Sequence, residues 1–331
     1  MRAFVVSEYK GPLYEADVPE PVLGLSDVLV QVRAAGVNAL DERIRAGEFK
    51  QILPYRLPQV LGNDVAGTVA AVGAEVRGFA PGDEVYARPN KDRIGTFAER
   101  IAVAEQDLAL KPATVTFEEA ASLPLVALTA WQALVEKGRV RAGQRVLIHG
   151  GAGGVGTIAI QLAKQLGASV ATTVSAGNFG FVRELGADIV IDYRNQRFEE
   201  LIDGYDLVLD SVGGPNLERS LSVLRAGGKA IGIAGPPDAA FARETGANPV
   251  LRLAMSALSA RIRRRARRLG VRYEFLFVRA SGDQLRQVSA LVDNGAIRPV
   301  VGRVFRFDQT AEAVRSLSSG GIRGKAVVSH A

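Results

Sequence analysis

The chain has 331 residues, of which 47% are hydrophobic and 23% charged, so it is long enough for two ordinary domains with buried cores. It contains no cysteine and only two histidines, which excludes disulfides and, in practice, a cysteine–histidine zinc site. The net charge of +6 is local, because residues 252–272 hold eight arginines and no acid. The rest of the chain therefore has a net charge of −2, the difference between +6 and +8, and the basic character marks one patch.

The first third of the chain is rich in strand signals. Residues 1–6, 28–33 and 66–72 are apolar runs bounded by glycine or proline, and no long helical pattern interrupts them. Such a pattern predicts a compact, barrel-like β domain. The amino terminus lacks the features of a signal peptide, and no apolar run is long enough to span a membrane. With the missing cysteines, these features predict a cytoplasmic protein without membrane contact.

Near residue 117 the periodicity becomes helical, and strands and helices then alternate. Alternation of this kind predicts a parallel, doubly wound α/β sheet. The predicted strands are 145–149, 169–175, 189–193, 207–212, 229–234 and 273–278, and the predicted helices are 178–186, 217–224, 251–269 and 284–294. Two further strands, 299–307 and 325–329, are expected to return to the first domain. The predicted domains are therefore 1–122 and 296–331 for the β domain and 123–295 for the inserted one, with the substrate cleft between them.

A glycine motif follows the strand at 145–149. Gly151, Gly153 and Gly156 form G-x-G-x-x-G, and an apolar helical repeat begins directly after them. In a chain with 36 glycines the motif alone is a weak signal, but the strand before it and the helix after it are the context of a dinucleotide site. The first glycine allows a tight turn, the second allows the pyrophosphate to approach, and the third allows helix and strand to pack closely. The phosphates would lie at the positive end of the helix.

The strand after the glycine helix indicates which dinucleotide is bound. NAD sites usually place an acid about 20 residues beyond the glycines, where it binds the ribose 2′-hydroxyl. Residues 171–178 contain no acid, whereas Ser175 and Asn178 offer hydrogen bonds to a 2′-phosphate, and Tyr193 and Arg194 end the next strand. We therefore predict NADPH. Ordinary helix capping also explains Ser175 and Asn178, and it is compatible with phosphate binding.

Short motifs along the whole chain carry a family resemblance. They are AGVNALD at 35–41, LGNDVAG at 61–67, GTFAE at 95–99, ALTAWQAL at 127–134, LGAD at 185–188, IDY at 191–193 and GKAVV at 324–328, together with the glycine loop. In this order they resemble the medium-chain dehydrogenase/reductase superfamily, and specifically its zinc-independent quinone oxidoreductase branch (zeta-crystallin-like), which includes enone reductases. The resemblance implies a Rossmann domain inserted in a GroES-like β-barrel catalytic domain.

The resemblance also implies an enzyme without a metal. Zinc members of the superfamily have a cysteine at the position of Asn38, a histidine and glutamate at Asn63 and Asp64, and a third ligand near Leu125. None of these ligands is present, so carbonyl activation by zinc is excluded. The implied activity is NADPH-dependent hydride transfer to a quinone or to the C=C bond of an α,β-unsaturated carbonyl compound, with the cofactor carrying the chemistry. The family also implies a small electrophilic substrate and a homodimer formed through the strand near 273–278.

The site residues follow partly from the motif and partly from the resemblance. The resemblance places Ala152, Gly153, Gly154 and Val155 on the pyrophosphate. The outer motif glycines, Gly151 and Gly156, belong to the same cofactor loop. The resemblance further implies that the cofactor is bordered by Asn38, Thr129, Ser175, Tyr193, Val212, Phe277 and Lys325. Asn178 is added to this set because it lies close to Ser175 in the sequence.

No side chain stands out as a catalytic acid. Asn38 orients the nicotinamide ribose or a substrate carbonyl, or it forms a turn. Tyr55 donates its hydroxyl to a substrate oxygen, or it is a rim or core tyrosine. Asp41 and Asp64 are expected to hold loops, and His149 is expected to be a satisfied core residue.

The arginine cluster 261–268 leaves three interpretations open. It is a binding surface for RNA or another polyanion, although it lacks the aromatic residues that single-stranded nucleic acid favours. It attracts an acidic substrate such as an enoyl-CoA thioester. The third and preferred interpretation is a solvated helix face, and nucleic acid is then an unlikely partner.

Overall fold

The chain divides into two units, each with its own sheet structure. The computed structural model describes residues 1–50, 54–244, 246 and 248–330. Unit 1 consists of Met1–Leu128 with Arg279–Ala331, and unit 2 is Thr129–Val278. Within the described ranges, every helix is too short or too polar to cross a bilayer.

Unit 1 is built mainly from antiparallel strands. They are β1 (Arg2–Val6), β2 (Tyr14–Asp17), β3 (Asp27–Val37), β4 (Gln59–Val60), β5 (Asp64–Val72), β6 (Glu84–Ala87), β7 (Arg100–Ala104) and β8 (Leu108–Leu110), and near the carboxyl end β15 (Val301–Arg306) and β16 (Lys325–Ser329). The larger sheet has the order β15-β16-β3-β5-β6-β8, with β7 also paired to β3, and the smaller has the order β2-β1-β4. Because β16 pairs antiparallel with β3, the carboxyl end of the chain lies beside residues 34–37.

The helices of unit 1 cover its sheets. They are α1 (Ala39–Arg45), α2 (Phe117–Ala121), α11 (Gly282–Asp293) and α12 (Thr310–Ser319), and α3 (Pro124–Trp131) crosses the boundary into unit 2. The core is formed by alternating strand residues such as Val28, Val30 and Val32, which are fully buried. Such alternation of buried and more exposed positions is the pattern of a strand with one face on the core.

Unit 2 contains a six-stranded parallel sheet. Its strands are β9 (Arg145–His149), β10 (Ser169–Val174), β11 (Ile189–Asp192), β12 (Tyr205–Asp210), β13 (Leu224–Gly232) and β14 (Arg272–Phe275). Their order is β11-β10-β9-β12-β13-β14, and every neighbouring pair is parallel. The strand order runs outward in one direction from β9 to β11 and in the other from β12 to β14, so it reverses between β9 and β12. This is the doubly wound topology that the alternating pattern predicted.

The helices of unit 2 connect these strands. They are α4 (Gly154–Gln165), α5 (Phe179–Glu184), α6 (Phe198–Leu201), α7 (Gly214–Ser220), α8 (Ala239–Glu244), α9 (Pro249–Leu258) and α10 (Ala260–Arg268). The single helix predicted over 251–269 is wrong, because the structure has two helices that meet at Ser259. The buried Ser259 hydroxyl donates to the carbonyl of Met255 at 3.0 Å, a local hydrogen bond that bends helices.

The second domain boundary differs from the predicted one. The sequence predicts that the inserted domain ends at residue 295 and therefore includes α11, but the structure places α11 in unit 1. The hydroxyl of Tyr86 donates to the carbonyl of Leu285 at 2.7 Å, and Gly282 lies directly against Leu108. Helical periodicity shows which face is apolar but does not show which domain covers it.

Candidate cofactor site and buried polar network

The glycine loop connects β9 to α4 in unit 2, and two of its three motif glycines are required by packing. A Cβ atom on Gly151 would lie 2.1 Å from the hydroxyl oxygen of Thr172. A Cβ atom on Gly156 would lie 2.3 Å from the carbonyl oxygen of Gly150. Contacts this short do not occur between real atoms, so the turn admits no side chain at either position.

The middle glycine faces open space. A Cβ atom on Gly153 would meet nothing nearer than the Gly150 carbonyl at 3.4 Å. Gly153 caps the amino end of α4 without any side-chain hydrogen bond, and the first turn of this helix contains no acid. The free backbone N–H groups and the dipole at the amino end of α4 therefore favour an anion at this position. We call residues 152–155 the cradle, and it fits the pyrophosphate of NADPH.

The adenosine end of the site lies where two adjacent parallel strands finish. Val174 pairs with Asp192, so Ser175 and Tyr193 follow at the same edge of the sheet. The amide nitrogen of Asn178 donates to the Ser175 hydroxyl at 3.1 Å. The guanidinium carbon of Arg194 lies 5.8 Å from the centre of the Tyr193 ring, which is on the surface. The structure thus brings together the residues predicted for the 2′-phosphate, with a cation beside them.

Asp192 is the acid at this edge of the sheet, and its carboxylate is used by its own loop. One oxygen accepts the backbone N–H of Arg194 at 3.1 Å, and the other accepts the side-chain amide of Asn195 at 2.7 Å. A carboxylate held by such hydrogen bonds is turned toward the turn that it stabilises. It does not take the place of the ribose-binding acid of NAD sites.

Three further predicted residues lie on separate elements. Val212 is exposed just beyond β12, and its backbone N–H donates to the carboxylate of Asp210 at 2.7 Å. Thr129 is buried in α3. Phe277 follows β14, and its ring centre lies 5.8 Å from that of Phe241. Their contact with the cofactor stays a prediction.

Asn38 and Lys325 meet in a buried polar network of unit 1. The ammonium of Lys325 donates to the side-chain oxygen of Asn38 and, at 3.1 Å, to the carboxylate of Asp64. The amide nitrogen of Asn38 donates to the same Asp64 oxygen at 2.9 Å and to the carbonyl of Gly36 at 3.3 Å. All three of these side chains are almost fully buried, so the Lys325–Asp64 ion pair is shielded from solvent.

The network continues through Asp41 and Asn63. The carboxylate of Asp41 accepts the backbone N–H of Asn38 and the amide of Asn63, both at 2.7 Å. The second oxygen of Asp64 accepts the backbone N–H of Leu125 at 2.7 Å. Both acids therefore hold loops, as predicted. Burial raises the pKa of the Asp41 carboxyl to about 7, because it outweighs the two hydrogen bonds that favour the charged form.

This arrangement does not fit a zinc ion. The positions that the resemblance assigned to metal ligands hold Asn38, Asn63, Asp64 and Leu125, and the Lys325 ammonium lies 3.1 Å from Asp64. A cation at that distance would repel a divalent metal. In the part of the chain that the structure describes, no group of three acids or histidines is placed to hold a metal.

Arg88 was missed by the sequence analysis. It is 1% exposed; its Nη1 donates to the carbonyl of Pro89 at 3.1 Å, while Nε and Nη2 have no hydrogen-bond partner among the described residues. Burial lowers the pKa of the guanidinium, and the charge of Asp64 opposes this effect. The sequence signal for its burial was weak: Arg88 directly follows β6, two residues beyond the buried Tyr86.

Tyr55 lies apart from this hydrogen-bond network. Its hydroxyl donates to the carbonyl of Lys91 at 2.6 Å, and its ring packs on the core of unit 1. Burial raises the pKa of Tyr55 above its ordinary value, so the proton is held more firmly than in water. As a catalytic donor Tyr55 would first have to give up the bond to Lys91, so its predicted role remains a prediction.

His149 is a satisfied core residue, as predicted. Its Nδ1 lies 3.0 Å from the Thr173 hydroxyl and its Nε2 lies 2.9 Å from the Ser220 hydroxyl, and the ring packs edge-on against Phe198. Burial lowers the pKa of His149 to about 4. The neutral imidazole is therefore part of the fold.

This pKa predicts loss of stability in acid. The folded state takes up the His149 proton only near pH 4, whereas the unfolded chain takes it up near pH 6.5, so the free energy of unfolding falls as the pH drops between these values. The expected loss is on the order of 3 kcal/mol. Urea unfolding from pH 4 to 8 would measure it, and His149→Gln, which does not titrate, should flatten the curve.

The comparison with His149→Gln is necessary because Asp41 changes the free energy of unfolding with pH in the opposite direction. Its raised pKa of about 7 makes the folded state bind a proton earlier than the unfolded chain, so its contribution is lost as the pH rises. The difference between wild type and His149→Gln isolates the histidine. Equal slopes for the two proteins would contradict the prediction.

Comparison with known proteins agrees with this fold. Residues 24–113 match the family model described as "Alcohol dehydrogenase GroES-like domain", and residues 185–328 match "Zinc-binding dehydrogenase". The zebrafish (Danio rerio) "NAD(P)H oxidoreductase RTN4IP1, mitochondrial" is 37% identical, over 92% of this chain and 84% of its own. The Arabidopsis thaliana "NADPH-dependent alkenal/one oxidoreductase, chloroplastic" is 35% identical, over 99% of this chain and 79% of its own.

A solved structure covers both units. The quinone oxidoreductase from Coxiella burnetii superposes with a TM-score of 0.86 at 30% identity, over 100% of this chain and 99% of that one. A GroES-like unit and a doubly wound dinucleotide unit with the glycine loop define a medium-chain dehydrogenase/reductase, and the chain belongs to this superfamily. Within it, the chain is a member of the zinc-independent quinone oxidoreductase branch. The predicted fold class and oxidoreductase class are thereby confirmed, and NADPH is confirmed as the cofactor at the level of the family.

Proposed function

We propose that the protein is an NADPH-dependent, metal-free reductase of quinones or of the C=C bond of α,β-unsaturated carbonyl compounds. The observation that carries this proposal is the adenosine end of unit 2. Ser175, Asn178, Tyr193 and Arg194 converge there, and the carboxylate of Asp192 is taken up by its own loop. The names of the Arabidopsis and Coxiella relatives support the two substrate classes.

NADPH supplies the hydride when it is bound. The cradle at Gly153 binds the pyrophosphate through backbone N–H groups and the dipole of α4. Ser175, Asn178 and Arg194 then bind the 2′-phosphate, and the Tyr193 ring covers the adenosine. The chain's own contribution is to hold the cofactor in one orientation, and orientation is a large part of catalysis in such enzymes.

In unit 1, the geometry favours Lys325 as the residue that contacts the bound molecules. Two of its ammonium hydrogens are donated to Asn38 and Asp64, and the third has no acceptor among the described residues. Both amide hydrogens of Asn38 already have acceptors, so Asn38 offers a lone pair of its oxygen. We infer that Lys325 donates to a ligand oxygen, that Asn38 accepts from a ribose hydroxyl, and that the final proton comes from water.

The oligomeric state is part of the proposal. The strand β14 is at the edge of the unit 2 sheet, so no described strand pairs with its free side, where the backbone N–H of Phe275 donates to the carboxylate of Asp238 at 3.1 Å. We propose that two copies pair through this strand across a two-fold axis, which sedimentation velocity would show as a dimer. A cytoplasmic location stays a prediction.

The activity is tested by following NADPH oxidation with a short-chain enone and a para-quinone in parallel, with NADH and EDTA as controls. Consumption of NADPH with either acceptor, unchanged by EDTA, is the expected result. Reduction of the enone C=C bond identifies the enzyme as a double-bond reductase, and reduction of the quinone alone identifies it as a quinone reductase. If neither acceptor oxidises NADPH while the protein still binds it, the proposed substrate classes are wrong.

The choice of cofactor is tested by Ser175→Asp. A carboxylate at this position would repel the 2′-phosphate and bind a free 2′-hydroxyl, so KM for NADPH should rise about tenfold or more while KM for NADH falls. Ser175→Asn is the matched control, because it has the same shape without the charge. Equal effects of the two substitutions on the NADPH-to-NADH ratio would contradict the proposed phosphate site.

A further inference from the structure

The helices α9 and α10 have one buried face and one outward face. Met255, Ser259 and Ile262 are buried in the interior of unit 2, to which both helices belong. Hydrogen bonds of helical spacing continue across the junction, since Ser259 N–H donates to the Met255 carbonyl and Arg263 N–H to the Ser259 carbonyl. Steps of three or four residues therefore lead along a single outward face from α9 to α10.

The two halves of this outward face differ in chemistry. On α9 it is apolar, with Val250 78%, Leu253 73% and Leu258 64% exposed. On α10 it continues with Arg261, and then with further arginines at the same spacing. We use the name "outward surface" for Val250, Leu253 and Leu258 of α9 together with Arg261, Arg264 and Arg268 of α10.

The arginines are only partly neutralised. With Arg265 and with Glu218 of α7 they line a groove of about 450 Å³. Glu218 pairs with Arg261 at 2.9 Å and lies 4.0 Å from Arg265. Arg264 and Arg268 form no ion pair with any residue that the structure describes. The outward surface thus combines uncovered aliphatic side chains with uncompensated positive charge.

We propose that the outward surface docks onto an anionic lipid bilayer. A helical surface with aliphatic residues beside arginines matches the interfacial region of a membrane, where the aliphatic groups enter the headgroup boundary and the arginines bind lipid phosphates. Residues 252–272 contain no acid, so the charge is complementary to such a surface along both helices. This peripheral contact differs from a membrane span, and the proposal departs from the prediction that no membrane is a partner.

Two other occupants fit less well. A second copy of the chain would bring arginines against arginines at a two-fold contact, and stable interfaces bury about 800 Å² per partner, more than three aliphatic side chains provide. Single-stranded RNA favours aromatic residues for base stacking, and residues 245–272 contain none. Single-stranded RNA would also leave the exposed leucines without an apolar partner.

The test is flotation of the purified full-length protein with extruded vesicles. One set is phosphatidylcholine alone and the other contains about one third phosphatidylglycerol, each at low salt and at about 0.5 M NaCl. Binding to the anionic vesicles at low salt, weakened at high salt and absent with phosphatidylcholine, is the expected result. Soluble NADPH oxidation is measured in parallel, so that this proposal and the proposed activity fail independently.

Two double variants separate the two halves of the surface. Arg264→Gln/Arg268→Gln should weaken vesicle binding roughly fivefold for each arginine. Val250→Ser/Leu253→Ser should weaken it about tenfold or more. The matched controls are Arg56→Gln/Arg315→Gln, which removes the same charge elsewhere, and Leu201→Ser, which removes an exposed leucine of α6. Both controls should bind as the wild type does.

Three results would overturn the proposal. The first is no flotation at low salt. The second is vesicle binding that is unchanged in Val250→Ser/Leu253→Ser, or that is weaker than binding to single-stranded RNA. In either case the surface would be a general polyanion site. The third is a smaller assembly for Val250→Ser/Leu253→Ser in sedimentation, because a second copy would then cover the surface.

Discussion

Gly156→Ala is expected to abolish detectable NADPH binding and to destabilise the protein. The new Cβ atom would lie 2.3 Å from the Gly150 carbonyl oxygen and 2.6 Å from the Gly151 Cα atom, and both are backbone atoms of the loop itself. The helix α4 would have to move away from β9, which costs about 3 kcal/mol or more as overpacking and removes the phosphate cradle. Calorimetric titration with NADPH and a thermal unfolding curve measure the two effects.

Gly153→Ala is the matched comparison, because it adds the same methyl group to the same loop. Its Cβ atom has space within the protein and the backbone angles of Gly153 suit alanine, so the melting temperature should stay near that of wild type. The methyl group would instead occupy the space that the pyrophosphate needs, so Kd should rise roughly a hundredfold, equivalent to about 3 kcal/mol. Unchanged NADPH affinity in Gly153→Ala would show that the phosphates do not approach the loop here.

Lys325→Met is expected to lose both stability and turnover. Lys325 is the buried cation that pairs with Asp64 at 3.1 Å, and the variant leaves that carboxylate in the interior without its countercharge. Breaking a buried ion pair from one side costs about 3–5 kcal/mol of unfolding free energy. We also expect kcat/KM to fall about a hundredfold, because the remaining N–H donor to the ligand is lost. Urea unfolding and NADPH oxidation measure the two losses.

A second variant distinguishes a role in turnover from a role in folding. Asp64→Asn/Lys325→Met removes both charges, so most of the lost stability should return while turnover stays low. Lys164→Met is the control for the substitution itself, since Lys164 pairs with Asp188 at 2.9 Å on the surface and should cost at most about 1 kcal/mol. Recovery of activity together with stability in the double variant would show that Lys325 only supports the fold.

The sequence by itself determined the features that depend on local pattern. Alternating strands and helices predict the doubly wound sheet because a strand and its crossover helix are encoded over short stretches. The glycine loop was recognisable for the same reason, since a turn that excludes Cβ atoms needs glycine at each such position. The preference for NADPH came from residues 171–178, which contain no acid while Ser175 and Asn178 can hydrogen-bond a 2′-phosphate. The absence of cysteine decided against zinc.

Only the tertiary structure decided the contacts between distant residues. Asn38 and Lys325 are 287 residues apart, and nothing local indicates that they share a hydrogen bond. The same holds for Arg88, whose burial depends on every element packed around it, and for α11, whose apolar face suits either unit. The pKa values of Asp41 and His149 belong to this class, because desolvation is a property of the surrounding fold. Local propensity acts within a few residues, whereas burial and charge pairing are set by the whole packed chain.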